Sequence, residues 1–211
     1  MSELFVLTER PSVYLASKSP RRQELLRQLG VEFEELLLRE APGRRRDVVE
    51  EARKDEPPLE YVKRIARTKA SVGWHRMGKR ELPPKPVLGA DTEVVLDGAA
   101  LGKPEDEAAA AAMLASLSGR THEVITAVAV RWQEQLALAV SSSQVTFRKI
   151  PGDEIERYVA TGEPLDKAGA YAIQGKAAAF VSHLKGSYSG VMGLPLFETA
   201  ELLARLGFPV L

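Results

Sequence analysis

The stretch Val13-Tyr14-Leu15-Ala16-Ser17-Lys18-Ser19-Pro20-Arg21-Arg22-Gln23-Glu24-Leu25-Leu26-Arg27-Gln28-Leu29-Gly30 decides the class of fold. Val13 to Ala16 reads as a short strand that runs at once into a helix. Ser19 is a good N-cap, and Pro20 suits the first helical position, where a missing N–H costs nothing. Leu25, Leu26 and Leu29 share one face, and Gly30 is a natural terminator. The chain therefore opens strand, tight turn, helix.

The rest of the chain extends this pattern. Arg39 to Glu60 is rich in charge and proline and reads as a solvated excursion with at most a poor helix, its basic run Arg44-Arg45-Arg46 a solvated loop. From Leu59, residues Tyr61, Val62, Ile65, Ala66, Ala70 and Val72 recur at helical spacing, and the prolines between Gly78 and Pro86 end that helix. Pro86 to Thr92 reads as a short strand ending in an acid and a threonine, and Glu93 to Gly98 as a neighbouring strand closed by an Asp-Gly turn. The alanine-rich run from Glu105 to Leu117 predicts a helix with acids in its first turn. Thr121 to Trp132 and Leu136 to Phe147 predict a hairpin. A short helix around Ile155 to Val159, a strand from Ala179 to Leu184 and a last helix from Pro195 complete the reading. Early alternation with a central hairpin predicts an α/β fold, a mixed twisted sheet flanked by helices, as a single domain over 1–211 bent into two lobes around a cleft.

Composition excludes several chemistries. The 211 residues carry 29 Lys+Arg against 29 Asp+Glu, so nothing in the bulk charge draws the chain to nucleic acid or anionic membrane, and any anion site must be local. Without cysteine there is no disulfide scaffold, thiolate zinc site or thiol nucleophile. No apolar run approaches the length of a membrane helix, and the N-terminus does not read as a signal peptide, so the expected location is cytoplasmic. His75, His122 and His183 lack metal-ligand spacing, and no GxSxG elbow or GxxxxGK[ST] loop occurs.

Four places concentrate functional chemistry. Arg21 and Arg22 sit in the first turn of a helix whose N-terminus is already positive, an unfavourable arrangement that a bound phosphate or carboxylate reverses; the alternative is two solvated arginines. Asp91, beside Gly89, Ala90 and Thr92, is the best candidate for a general base or metal ligand, or else a turn-forming cap. Lys69 and Lys103 offer point charges for a polyphosphate, or are ordinary solvated lysines. Gln174, in the small-residue loop Asp166-Lys167-Ala168-Gly169-Ala170-Tyr171-Ala172-Ile173-Gln174-Gly175, carries a donor and an acceptor that match a uracil or thymine edge, or satisfies its own loop.

In order, Leu15-Ala16-Ser17-Lys18-Ser19-Pro20-Arg21-Arg22-Gln23-Glu24-Leu25-Leu26, Gly89-Ala90-Asp91-Thr92, Gly102-Lys103-Pro104, Leu117-Ser118-Gly119-Arg120-Thr121-His122, Asp166 to Tyr171, Ile173-Gln174-Gly175 and Gly193-Leu194-Pro195 make the sequence resemble the Maf family of nucleoside triphosphate pyrophosphatases, from Tyr14 to Leu206. The resemblance implies an inosine-triphosphatase-like α/β fold and metal-assisted hydrolysis between the α and β phosphates. It puts the proton acceptor on Asp91 and phosphate binding on Ser17, Arg21, Arg22, Lys69 and Lys103. It puts substrate specificity on Arg21, Thr92 and Gln174, and a divalent cation, Mg²⁺ or Mn²⁺, on Asp91 with Glu40 as the approximate second carboxylate. Arg21, Thr92 and Gln174 all match the subgroup acting on dTTP and UTP. The expected partner is a pyrimidine nucleoside triphosphate, with no nucleic acid or membrane, and a homodimer is left open. Two rival readings are a nucleotide-sensing regulator in cell-division control and a house-cleaning pyrophosphatase for non-canonical purine nucleotides.

Overall fold

The structure, a computed structural model, describes residues 11–39 and 46–210. The first ten residues, Glu40, Arg44 and Arg45 lie outside the described residues. In chain order the elements are β1 (Ser12–Leu15), α1 (Pro20–Gln28), β2 (Glu32–Glu35), α2 (Pro58–Lys79), β3 (Val87–Leu96), β4 (Ala99–Ala100), α3 (Glu107–Leu117), β5 (Thr121–Trp132), β6 (Gln135–Phe147), α4 (Gly152–Val159), β7 (Val181–Lys185), α5 (Tyr188–Met192) and α6 (Leu196–Arg205). Three short 3-10 helices lie between α4 and β7.

The strands form one mixed sheet in the order β2-β1-β3-β5-β6-β7, with β4 on the far end of β3. Helices α1 and α2 are the crossovers that let β2, β1 and β3 run parallel, and the tight β5–β6 hairpin makes the other half antiparallel. This is the α/β architecture of helices around a mixed sheet that the sequence predicts.

Side chains alternate across the sheet and so build core on both of its faces. From β3 and β5, Leu88, Ala90, Val94, Val124, Val128 and Val130 face α1, α3, α4 and α6. Val95, Ile125, Ala127 and Ala129 face the Val62, Ala66 and Ala70 stripe of α2. Helix α2 lies so close to β3 that a Cβ at Gly89 would sit 2.7 Å from the Ala66 carbonyl oxygen and from the Ala70 nitrogen.

The structure departs from the sequence reading in four places. Val87 to Leu96 is one continuous strand, so Asp91 sits in its middle, not at a strand end. An Asp-Gly turn does close it, with Asp97 at φ 52° and Gly98 at φ 80° leading into β4. Strand β2, Glu-Phe-Glu-Glu, has no apolar alternation to reveal it; its pairing with β1 and the packing of Phe33 on the core hold it. Ser19 occupies the N-cap position of α1 without a capping side-chain bond. Finally, the loop before α2 is not wholly solvated: Val48 is buried, and Asp47 accepts hydrogen bonds from Arg39 and Arg76.

His122 on β5 is packed in the larger core. Its ring stands edge-on to Phe147 and Tyr171, with centroids 5.0 and 5.4 Å away, and its Nε2 shares a 2.8 Å hydrogen bond with the Tyr171 hydroxyl. Burial pulls its pKa down to about 4 from 6.5.

Two outcomes follow for stability. The unfolded chain binds a proton at His122 near pH 6.5 and the folded one only near 4, so stability falls as pH drops through that window, by on the order of 3 kcal/mol. Urea unfolding at pH 7, 5.5 and 4 should show this slope, flattened in His122→Gln; equal slopes would remove His122 as its source. Gly89→Ala forces α2 off β3 and should cost about 1–3 kcal/mol, read as a lower melting temperature. A melting curve unchanged from wild type would contradict that close approach.

Candidate active site

Strand β1 pairs with β3 at Tyr14↔Val87 and Leu15↔Leu88, with the Tyr14 N–H donating to the Pro86 carbonyl and the Ala16 N–H to the Leu88 carbonyl. The chain then turns away through Ser17-Lys18-Ser19 into α1, while β3 continues. A cleft of about 640 Å³ opens beside the exposed edge of β3, at the carboxyl end of β1. Such crevices are where open α/β sheets hold ligands. Of its described lining residues, seven are Lys or Arg and four are Asp or Glu. A chain of zero net charge thus gathers a local cationic excess.

On the α2 side of β3, Asp91 and Lys69 are each only 8% exposed. Lys69 Nζ lies 2.8 Å from Asp91 Oδ1 and 2.8 Å from Glu50 Oε1, so one ammonium bridges two carboxylates. Burial pushes the Glu50 carboxyl up, but Lys69, with Lys103 and Arg22 behind it, overcomes that and leaves it below its ordinary value. Glu93, two residues on and on the same face as Asp91, behaves oppositely. Burial and then the Asp91 charge push it up to about 7 against the Gly102 N–H and Lys103. Its Oε2 is buried without a hydrogen-bond partner among the described residues.

Those carboxylates suit a hard divalent cation by donor type. Asp91, Glu50 and Glu93 supply oxygen only, and the orphaned Glu93 Oε2 is an acceptor that a cation would satisfy. No group of three acids or histidines among the described residues forms a ready cage. Glu40 lies outside the described residues; the acid that reaches Lys69 from this loop is Glu50.

The α1 side is organised around Arg22, which is buried. Its Nε donates to the Gly193 carbonyl at 2.8 Å, Nη1 to Ser17 Oγ at 3.1 Å and Nη2 to Thr92 Oγ1 at 3.3 Å. Ser17 Oγ also accepts from the Ser19 N–H at 3.2 Å, folding the turn onto itself. Gly193 has φ 117°, a left-handed value that suits glycine, and brings its carbonyl to the guanidinium. Arg21, half-buried, and Lys103, exposed after the Gly102 turn, both line the cleft.

Across from them, Gln174 lines the cleft with its side-chain carbonyl oxygen buried and unpartnered among the described residues. Its loop is anchored by Tyr171 on His122 and by the Gly169 N–H on the Gly102 carbonyl at 2.8 Å. Ser17, Arg21, Arg22, Lys69, Asp91, Thr92, Lys103 and Gln174 therefore all line one cleft. Sequence reasoning missed Glu50 and Glu93. Period-2 alternation from Asp91 could have found Glu93; nothing in the charged run around Glu50 distinguishes it from its neighbours.

Comparisons with known proteins give a consistent result. The family model described as Maf-like protein matches residues 12–206. A protein of Nitrosomonas europaea named dTTP/UTP pyrophosphatase is 54% identical over 94% of this chain and 96% of its own length. One of Cupriavidus metallidurans with the same name is 56% identical over 92% of this chain and 96% of its own. The Ham1 protein of Staphylococcus aureus overlaps with a TM-score of 0.41 at 13% identity, covering 64% of this chain and 71% of that one, a likeness too distant to bear on function. With a family model spanning nearly all of the sequence and relatives sharing half of its residues, the chain belongs to the Maf family.

Proposed function

We propose that this chain, acting as a single domain around its cleft, hydrolyses dTTP and UTP to the monophosphate and pyrophosphate. The observation that carries this reading is the convergence of the arginine turn of α1 and the Asp91–Lys69 pair on one cleft. Cations alone would make an anion site; a buried carboxylate facing them adds a proton acceptor. The relatives that share half of the sequence carry the same activity in their names.

In this reading the triphosphate lies between the α1 turn and β3. Arg21, Arg22 and Lys103 neutralise the β and γ phosphates, and Lys69 neutralises the α phosphate and holds Asp91 in place. Asp91 orients a water and takes its proton as the water oxygen bonds to the α-phosphorus. The bridging oxygen leaves with pyrophosphate as its bond to that phosphorus breaks. Positioning and charge do most of the catalysis. Asp91, Glu50 and Glu93 would hold a divalent cation, Mg²⁺ or Mn²⁺, which supplies charge neutralisation at the phosphate oxygens when bound.

Gln174 reads the base. Its unpartnered carbonyl accepts from the ring N–H of uracil or thymine and its amide donates to a ring carbonyl, so a base lacking that edge leaves a buried group unpaired. The thymine methyl is worth only about 1 kcal/mol, too little to separate dTTP from UTP. Among the described residues no helix is long and apolar enough to cross a membrane. We place the enzyme in the cytoplasm, free of nucleic acid, and a homodimer is compatible with this site.

A nucleotide panel assayed for pyrophosphate and orthophosphate, with and without Mg²⁺, should show Mg²⁺-dependent pyrophosphate release from dTTP and UTP. Release of orthophosphate alone would refute the bond assignment. Asp91→Asn should lower kcat by about 10²–10⁴-fold while nucleotide still binds; turnover near wild type would exclude Asp91 as the proton acceptor. Gln174→Ala should lower kcat/KM for dTTP about 10–100-fold and narrow the gap to purine nucleotides, and an unchanged gap would place base reading elsewhere.

A further inference from the structure

Thr126 stands on β5 directly opposite Thr92 of β3. It is fully buried and does not line the cleft. Its Oγ1 donates to the Gly190 carbonyl of α5 at 2.7 Å and lies 2.9 Å from Thr92 Oγ1. These contacts have only one consistent direction. A carbonyl only accepts, so the single Thr126 proton goes to Gly190, and the short contact between the two hydroxyls must be a donation from Thr92 to Thr126. The Thr92 proton is then spent. What Thr92 turns toward Arg22 is a lone pair, which accepts from Nη2 at 3.3 Å.

The guanidinium therefore heads a directed chain, Arg22 to Thr92 to Thr126 to the Gly190 carbonyl. With Nε on Gly193 and Nη1 on Ser17, described residues hold it at three of its five N–H groups, which leaves two for the cleft that Arg22 lines. The polarity matters as much as the contact. If Thr92 could rotate, its hydroxyl hydrogen would face the guanidinium, donor against donor, and Arg22 would lose one of its three restraints.

We propose that Thr126 is a positioning residue for substrate binding, which acts through Thr92 to aim the free N–H groups of Arg22 at the polyphosphate. With its only proton committed inside the protein, Thr92 acts toward Arg22 and the cleft as an acceptor alone. This rests on the pyrophosphatase reading and names two residues that hold its arginine. Arg22 meets phosphates that are charged in both substrate and transition state, so loosening it weakens both alike and appears in KM with little change in kcat.

The test is the set T126V, T126S, T92V and T92V/T126V, assayed with dTTP, UTP and CTP and by pyrophosphate inhibition, with melting curves on each. T126V should raise KM for all three nucleotides and the pyrophosphate inhibition constant together, about 5–20-fold, with kcat within about threefold and the base preference unchanged. T126S keeps the hydroxyl and should restore wild-type values. T92V/T126V should match T92V alone, because a residue that acts through Thr92 has no effect once Thr92 is silent. If T126V does not fold, T126A takes its place and must meet the same criteria. The proposal is overturned if KM and pyrophosphate inhibition stay at wild-type values, if the two substitutions multiply independently, if base preference changes, or if T126S fails to rescue. Wild-type protein that releases no pyrophosphate from dTTP would instead sink the pyrophosphatase reading, and pyrophosphate binding by calorimetry would still decide on Thr126.

Discussion

Strand β1 stops where the site begins. Its last rung on β3 is the Ala16 to Leu88 bond, and from Gly89 to Glu93, before β4 pairs with the end of the strand, β3 has β5 on one side and the cleft on the other. A bare strand edge in the middle of an α/β sheet is normally covered or paired, because unpaired backbone groups away from water are costly. Here the edge is a wall of the cleft, and the polar triplet Asp91-Thr92-Glu93 sits along it. Every other contributor, from the α1 turn to the Gln174 loop, reaches this wall from a different part of the chain.

The buried charge around this wall is not a stability device. Taking Lys69 and Asp91 almost wholly out of water incurs a desolvation penalty that their attraction repays only with good geometry, and apolar residues of similar size would pack there at less risk. Glu50 adds a second carboxylate to the same ammonium, and Glu93 keeps one oxygen with no partner. In the proposed function, a ligand that brings both cationic and anionic groups, such as a metal-bound polyphosphate, would satisfy both kinds of charge. Arg21 and Arg22 divide the matching task. One is locked by three protein acceptors, and the other lines the cleft from a half-buried position.

Most of the fold was legible because its signals were local. The α1 turn carries Pro20 and Gly30 at its ends, β5 of the β5–β6 hairpin is rich in β-branched residues, and α3 is alanine-rich with Asp106 capping the Ala109 N–H. Strand β2 was not legible, since three glutamates around one phenylalanine pair only because β1 lies alongside. The single strand through Asp91 was misread as two because the polar triplet looks like a break, whereas its acids are paid for by the cleft and not by a turn. That residues of α1, β3 and the Gln174 loop line one cleft was legible through short motifs. Glu50 was not, because a carboxylate in a charged run becomes distinctive only when the chain folds it onto Lys69. Thr126 lay hidden for the opposite reason: a threonine in a β-branched strand looks like any other until its cross-strand neighbour is known.

Register binds these observations together. On β3, odd positions face α2 and even positions face the larger core, so Asp91 meets Lys69 on the face it shares with Glu93, while Thr92, between them, meets Arg22. In the proposed mechanism two tasks, acid chemistry and arginine positioning, fall on opposite faces of three consecutive residues. A slip of one residue against β5 would turn the acids into the core of α1 and α3 and separate Thr92 from Thr126. The apolar neighbours Ala90, Val94, Val124 and Val128 therefore do more than fill space: burying them on the correct face is what keeps both carboxylates and the hydroxyl chain in place. The long antiparallel ladder between β3 and β5, from Val87↔Arg131 to Val95↔Glu123, is thus the element that specifies the site, although few of its residues touch the cleft.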